Sequence, residues 1–137
     1  MSWTLRIGQP SDVETLLQLW AASAAEPTHT DNVTSLQRLI AHDHGALIVA
    51  EDDGRLVGSV IAGWDGWRGS IYRLVVDPAQ RRSGLGRALL AEAETRLASA
   101  GAVRSQAIVV ETEPLAVGFW RATHWAEQIH RVRFVKG

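Results

Sequence analysis

The chain of 137 residues contains no cysteine. No disulfide, thiolate zinc site or cysteine nucleophile can therefore be built from it. Lysine is close to absent too: Lys136 stands alone and every other basic residue is arginine, which reads as a compositional bias rather than a functional signal. Neither sign of charge dominates, with a formal net charge of −1, so nucleic acid is not an expected partner. No apolar run approaches the roughly 20 residues of a membrane span, and no membrane partner is expected. The amino terminus lacks a basic start followed by an apolar stretch; no secretory signal is expected, and a cytoplasmic location is the default. Internal repeats, low-complexity segments and linkers are missing as well, which points to a single domain over residues 1–137. Apolar residues make up 46% and charged residues 21%, the balance of a folded domain with a real core.

What is present is organised around Val75 to Leu90. Ile71 to Val76 is an apolar run with one interior arginine, and Asp77-Pro78 ends it, because proline has no N–H for a sheet ladder. From Leu85 the apolar residues switch to helical spacing at Leu85, Leu89, Ala93 and Leu97. Between strand and helix lie Arg81, Arg82, Ser83, Gly84 and Gly86, with Arg87 just beyond. The first N–H groups of a helix have no partner inside it, and the helix dipole places about half a positive charge there. Phosphate suits such a site. Gly84 and Gly86 carry no Cβ to hold oxygens away from the amides, and the arginines add charge. The stretch predicts a ligand that carries a pyrophosphate. It does not match the phosphate loop G-x-x-x-x-G-K-S/T, and a dinucleotide fingerprint G-x-G-x-x-G fails at Leu89.

Elsewhere the patterns alternate between strand and helix. Trp3 to Ile7 reads as a strand, and a helix follows from Pro10, with Ser11 and Glu14 as a capping box and Val13, Leu16, Leu17 and Trp20 on its apolar side. Val33, Leu36, Leu39 and Ile40 predict a second short helix. His42-Asp43-His44 after it has no third ligand in view and reads as a solvated helix end, so no metal site is expected. Ala46 to Glu51, Arg55 to Trp64 and the strand ending at Val76 form an antiparallel meander, turning at Asp53-Gly54 and at Asp65 to Gly69. After the long helix come a strand over Ala102 to Val110, a helix over Pro114 to Thr123 and a last strand over Ala126 to Val135. The order is β-α-α-β-β-β-α-β-α-β.

Arg81-Arg82-Ser83-Gly84-Leu85-Gly86 fits Gln/Arg-x-x-Gly-x-Gly/Ala, the acyl-CoA signature of the GNAT N-acetyltransferase family. The flanking Leu-Val-Val-Asp-Pro and Arg-Ala-Leu-Leu fit as well, and the element order resembles that family over essentially the whole chain. Ala116 to Trp125 is similar to its usual close, Ala-x-x-x-Tyr-x-x-x-Gly-Phe. The resemblance implies an α/β (α+β) fold: a mixed, mostly antiparallel sheet, splayed between two central parallel strands and flanked by helices. It implies acetyl-CoA, or another short acyl-CoA, as co-substrate, with no metal. Backbone groups of Leu74, Val75 and Val76 would pair with the pantetheine arm. Arg81 and the amides of Arg82 to Gly84 and of Gly86 to Ala88 would hold the pyrophosphate. The Val76 N–H would stabilise the oxyanion, and Trp120 would stand near the thiol.

The same resemblance exposes departures. Trp120 replaces the usual tyrosine near the thiolate, and an indole N–H is not a practical proton source. Glu113, His124, Trp125 and Ile108 also differ from the family pattern. Other candidates for proton transfer are Tyr72, the only tyrosine, whose alternation with Leu74 and Val76 would put all three on one sheet face, and Glu111 after the other splayed strand. Each also reads as an ordinary strand or surface residue. Trp64, Asp65 and Trp67 would suit a cationic amine by cation–π contact and charge pairing, and Trp20 could line the same side or sit in the core. With no covalent nucleophile evident, an amine of a small molecule or protein would attack directly in a ternary complex. The competing readings are a module that binds CoA or acyl-CoA without transfer, and a protein-interaction domain. A homodimer is also compatible with the sequence, with the tryptophans serving an interface rather than a site.

Overall fold

The computed structural model describes residues 2–23 and 25–137, in two compact units, Met1–Ala107 and Ile108–Gly137. In the first unit, Thr4–Ile7 forms β1, Val13–Ala22 α1, Val33–His42 α2, Leu47–Asp52 β2, Arg55–Trp64 β3, Gly69–Val76 β4, Leu85–Ala100 α3 and Ser105–Ala107 β5. The strands lie in the order β1-β2-β3-β4-β5. Neighbours are antiparallel except for β4 and β5, which run parallel. This is the mixed, mostly antiparallel α/β fold expected. No helix of the described residues is long and apolar enough to cross a membrane.

The two faces of the sheet are covered by different helices. Val13, Leu16, Leu19 and Trp20 of α1 and Leu36 and Ile40 of α2 pack with Leu47, Val49, Ile61 and Val75 in one buried cluster. On the other face α3 approaches closely, and glycines make room for it. A Cβ on Gly58 would stand 2.9 Å from Leu89 Cδ1, and one on Gly69 would stand 2.8 Å from Leu97 Cδ1. The start of α1 differs from the expected Ser11–Glu14 capping box. A 3-10 turn at Pro10–Asp12 precedes the helix, and the Gln9 N–H donates to Asp12 Oδ2 at 2.7 Å. Asp12 also takes two nitrogens of Arg6, at 2.8 and 2.9 Å. The α2 cap is conventional, with Asn32 Oδ1 accepting from the Ser35 N–H. Asp43 of the His-Asp-His run pairs with Arg96 of α3.

β4 is not a regular strand. Ile61 pairs with Tyr72 and Ser59 with Val75, so the single residue Val60 lies opposite two, Arg73 and Leu74. That is a β-bulge, with Arg73 in the left-handed region at φ 51°. The bulge corrects one expectation. Tyr72 lies opposite Ile61 on the face of α1 and α2, whereas Val76 lies opposite Gly58 on the face of α3. The extra residue shifts the phase of alternation, so Tyr72 and Val76 do not share a face. The bulge also bears on β5, which is three residues long instead of Ala102 to Val110. Its ladder begins where the Gly69 N–H donates to Arg104 O and ends at Ile71–Ala107, just before β4 leaves regular geometry.

In the second unit, Pro114–Arg121 forms α4, with Pro114 in its first turn. The expected last strand, Ala126 to Val135, is not formed: these residues have no regular structure, and Ile129, Val132 and Phe134 are exposed. Alternation gives a segment strand propensity, but a strand exists only through a partner's ladder, and this unit offers none among its described residues.

The Arg6–Asp12 pair joins β1 to the start of α1 and generates a pH prediction. Hydrogen bonds from Arg6, together with the Gln9 N–H, hold the Asp12 carboxyl below its ordinary 3.8 despite partial burial. A depressed carboxylate pKa adds stability above that range, lost as pH falls through the folded value. Asp12→Asn should cost about 1 kcal/mol at pH 7. In denaturant unfolding the gap between variant and parent should close below pH 3.8.

Candidate active site

The junction between β4 and α3 is a sequence of tight local devices. Asp77 accepts from the Ala79 N–H at 2.9 Å and opens a 3-10 turn at Pro78–Gln80. Ser83 Oγ donates to Gln80 O at 2.5 Å. Arg82 at φ 64° and Gly84 at φ 83° are both left-handed, which swings the chain round so that Leu85 enters the core as the first residue of α3. A Cβ on Gly84 would meet nothing within 4 Å, so glycine is required there by backbone conformation rather than by crowding.

The helix tip is open to an anion. Gly84, the N-cap, has no side chain to satisfy the first amides, and those of Leu85, Gly86 and Arg87 have no carbonyl one turn earlier. Ala88 is a correction: its N–H already donates to Gly84 O at 3.0 Å and is not available to a ligand. Arg81, Arg82 and Arg87 are exposed and make no ion pair among the described residues. Uncommitted amides, three free guanidinium groups and a helix dipole are the donor set a diphosphate requires, and the residues fit it.

The bulge decides which way the β4 backbone faces. The Asp77 N–H donates to Val57 O at 2.8 Å, which makes Val57–Asp77 a hydrogen-bonded antiparallel pair. Such pairs alternate with non-bonded ones, so Val76, opposite Gly58, turns its N–H and C=O away from β3. At the other end of the hairpin the Asp65 N–H donates to Arg68 O, and counting from there makes Ile61–Tyr72 a bonded pair. Continued without the bulge, that register would turn the Val76 N–H into β3. The slip of one residue therefore sends it to the edge that β5 leaves after Ile71.

Three predicted residues share one depression. Trp64, Asp65 and Tyr72 line it with Gly63, Arg68 and Ser70, around about 170 Å³. Tyr72 is 53% exposed. Asp65 Oδ1 accepts from the N–H groups of Trp67 and Arg68, each at 2.7 Å. Those bonds, that from Arg68 first, hold the Asp65 carboxyl below its ordinary value. Trp67 does not line the depression; it is exposed, and the Arg68 guanidinium lies 4.1 Å over its ring. Trp20 is also elsewhere, 3% exposed, with its indole N–H donating to Ser59 Oγ at 2.9 Å. In the second unit, Glu111 is exposed in a turn, and the Trp120 ring meets Phe119 and Trp125 edge to face at 5.8 and 5.0 Å.

The sequence model of the GNAT acetyltransferase family matches residues 13–125, a stretch that runs through both units. The chain belongs to the GNAT acetyltransferase family. An acetyltransferase of Yersinia enterocolitica is 32% identical over 124 residues, covering 90% of this chain and 88% of the relative. An aminoglycoside 6'-N-acetyltransferase of Acinetobacter haemolyticus has the same fold, with a TM-score of 0.78 at 16% identity over 98% of each chain. So does the PaiA N-acetyltransferase of Thermoplasma acidophilum, solved with coenzyme A, with a TM-score of 0.73 at 18% identity over 88% of this chain and 87% of that one. Within this GNAT chain, the motif glycine Gly84 gives a direct stability prediction. Gly84→Ala should lose about 1–2 kcal/mol, the cost of a left-handed L-residue. Equal unfolding midpoints for parent and variant would show that the turn does not need the conformation.

Proposed function

We propose that this GNAT acetyltransferase moves an acetyl group from acetyl-CoA to an amine, by direct attack in a ternary complex within one domain of residues 1–137. The observation that carries the reading is the pairing of an outward Val76 N–H with an uncommitted helix tip a few residues later on the same chain. One is suited to a carbonyl oxygen gaining charge, the other to a diphosphate. The family assignment and the fold shared with a coenzyme A complex support it.

The residues divide the work. The outward backbone groups of Leu74 and Val76 would bind the extended arm as an added strand does, whereas Val75, expected to join them, forms a bonded pair with Ser59 and turns its own groups into β3. Arg81, Arg82, Ser83, Gly84, Gly86 and Arg87 would hold the diphosphate. Acetyl-CoA supplies the activated acetyl group as a thioester. The Val76 N–H would meet negative charge as it develops on the thioester oxygen. Asp65, ionised at neutral pH and beside Trp64 and Tyr72, favours a cationic acceptor in the depression. An aliphatic amine has a pKa of about 10 and must lose a proton before attack. Tyr72 and Glu111 are the residues proposed to help remove it, and Trp120 to contact the thiol end without serving as its acid. Trp20, being buried, is assigned to support rather than to the acceptor.

The test is release of CoA thiol from acetyl-CoA against a panel of small and protein amines. Release should require the amine and rise with pH as the amine deprotonates. Binding of CoA with no amine-dependent release would establish a holding module instead. Gly84→Val should weaken CoA binding at least tenfold by calorimetry, on the scale of about 1.4 kcal/mol; undiminished affinity would remove the helix tip from the site.

A further inference from the structure

Arg73 is a charged residue inside an apolar strand, at a backbone conformation that L-residues avoid, and both its carbonyl and its guanidinium are engaged. Its carbonyl accepts from Ser59 Oγ at 2.9 Å. Ser59 is fully buried and accepts in turn from the Trp20 indole N–H. The guanidinium donates to Glu26 O at 2.7 Å, pairs with Asp31 through two nitrogens, and lies 5.2 Å over the Trp20 ring. Asp31 is itself held by the Thr28 N–H at 3.0 Å. Glu26, Thr28 and Asp31 all belong to the connection between α1 and α2. Four groups from three parts of the chain thus converge on the one residue where β4 slips against β3.

We infer that Arg73 is a positioning residue, clamped by Asp31, Trp20 and Ser59 so that β4 stays one residue out of step with β3 and the Val76 N–H stays turned outward. This rests on the transferase reading for its catalytic consequence but not for its structural one. A left-handed arginine is strained, and in regular register the strain would vanish together with the outward amide. The clamp offsets that strain. It also ties the α1–α2 connection to the amide proposed to receive the oxyanion, so that loop and amide are set together.

Residue-resolved amide exchange and steady-state kinetics on three variants test it. In the parent without CoA, the Val76 amide should exchange freely and the Val75 amide, bonded to Ser59, should be protected. Arg73→Val, which has no clamp and resists positive φ, should reverse that pattern and lower kcat about 100-fold, the scale for losing an oxyanion donor. Arg73→Gly has no clamp but no strain either, so it should keep the parent's pattern and hold kcat within about tenfold of the parent. A purely structural arginine predicts the opposite order, since glycine removes the most contacts. Arg73→Gly falling as far as Arg73→Val, or parental exchange in Arg73→Val, would overturn the inference. Should Arg73→Val not fold, Asp31→Asn decides: partial protection of Val76 with a fall in kcat supports the clamp, and parental values in both refute it. Exchange requires no turnover, so an inactive parent would refute the transferase reading while leaving the clamp tested.

Discussion

A slip of one residue between β3 and β4 governs the rest of the site. Sheet backbones engage their donors and acceptors in ladders, and along an edge only every other residue turns its N–H outward, so register decides which amide is offered. Here two β4 residues lie opposite one on β3, and the alternation of bonded and non-bonded pairs inverts beyond that point. The same slip separates the faces of Tyr72 and Val76 and coincides with the end of the parallel ladder at Ile71–Ala107. The outward Val76 amide and the redirected tyrosine thus follow from one irregularity.

The second feature is the helix that follows directly. Leu85, Leu89, Ala93 and Leu97 are buried beneath the sheet, and glycines at 58 and 69 let the helix come close. Its axis is thereby fixed, and so is the position of its tip relative to β4. The intervening turn reaches the tip through two left-handed residues and a 3-10 turn, each secured by a local hydrogen bond or by glycine. Charge is added only at the rim, by arginines that serve no ion pair within the described residues. Backbone amides and exposed charge suit a polyanionic ligand together: amides give position, guanidinium groups give attraction.

Much of this was legible because it is local. Proline, glycine and arginine between Asp77 and Arg87 announce a strand end, a turn and a helix tip within eleven residues, and the hairpin at Asp53-Gly54 is a two-residue signal. The bulge was not legible, because period-two alternation carries no mark of a register shift. What fixes it is Ser59 on the neighbouring strand and Asp31 in a distant loop, and only folding brings them together. The one hint was Arg73 itself, a charge in an apolar run. Trp67 was visible as an aromatic near a carboxylate, but its partner Arg68 was not foreseen as occupying the ring. The final strand failed for the converse reason. Its alternation is plain, yet a ladder belongs to two segments, and one segment cannot declare it.

The central claim is that the β4 edge and the α3 tip grip one ligand, arm and diphosphate together. A crystal structure with CoA bound tests it most directly. Phosphate oxygens should lie within hydrogen-bond distance of the Gly84, Gly86 and Arg87 amides, with the pantetheine arm running along Leu74 to Val76 and the thiol end near the Val76 N–H. CoA seated elsewhere, or a tip filled by the protein's own side chains, would contradict it.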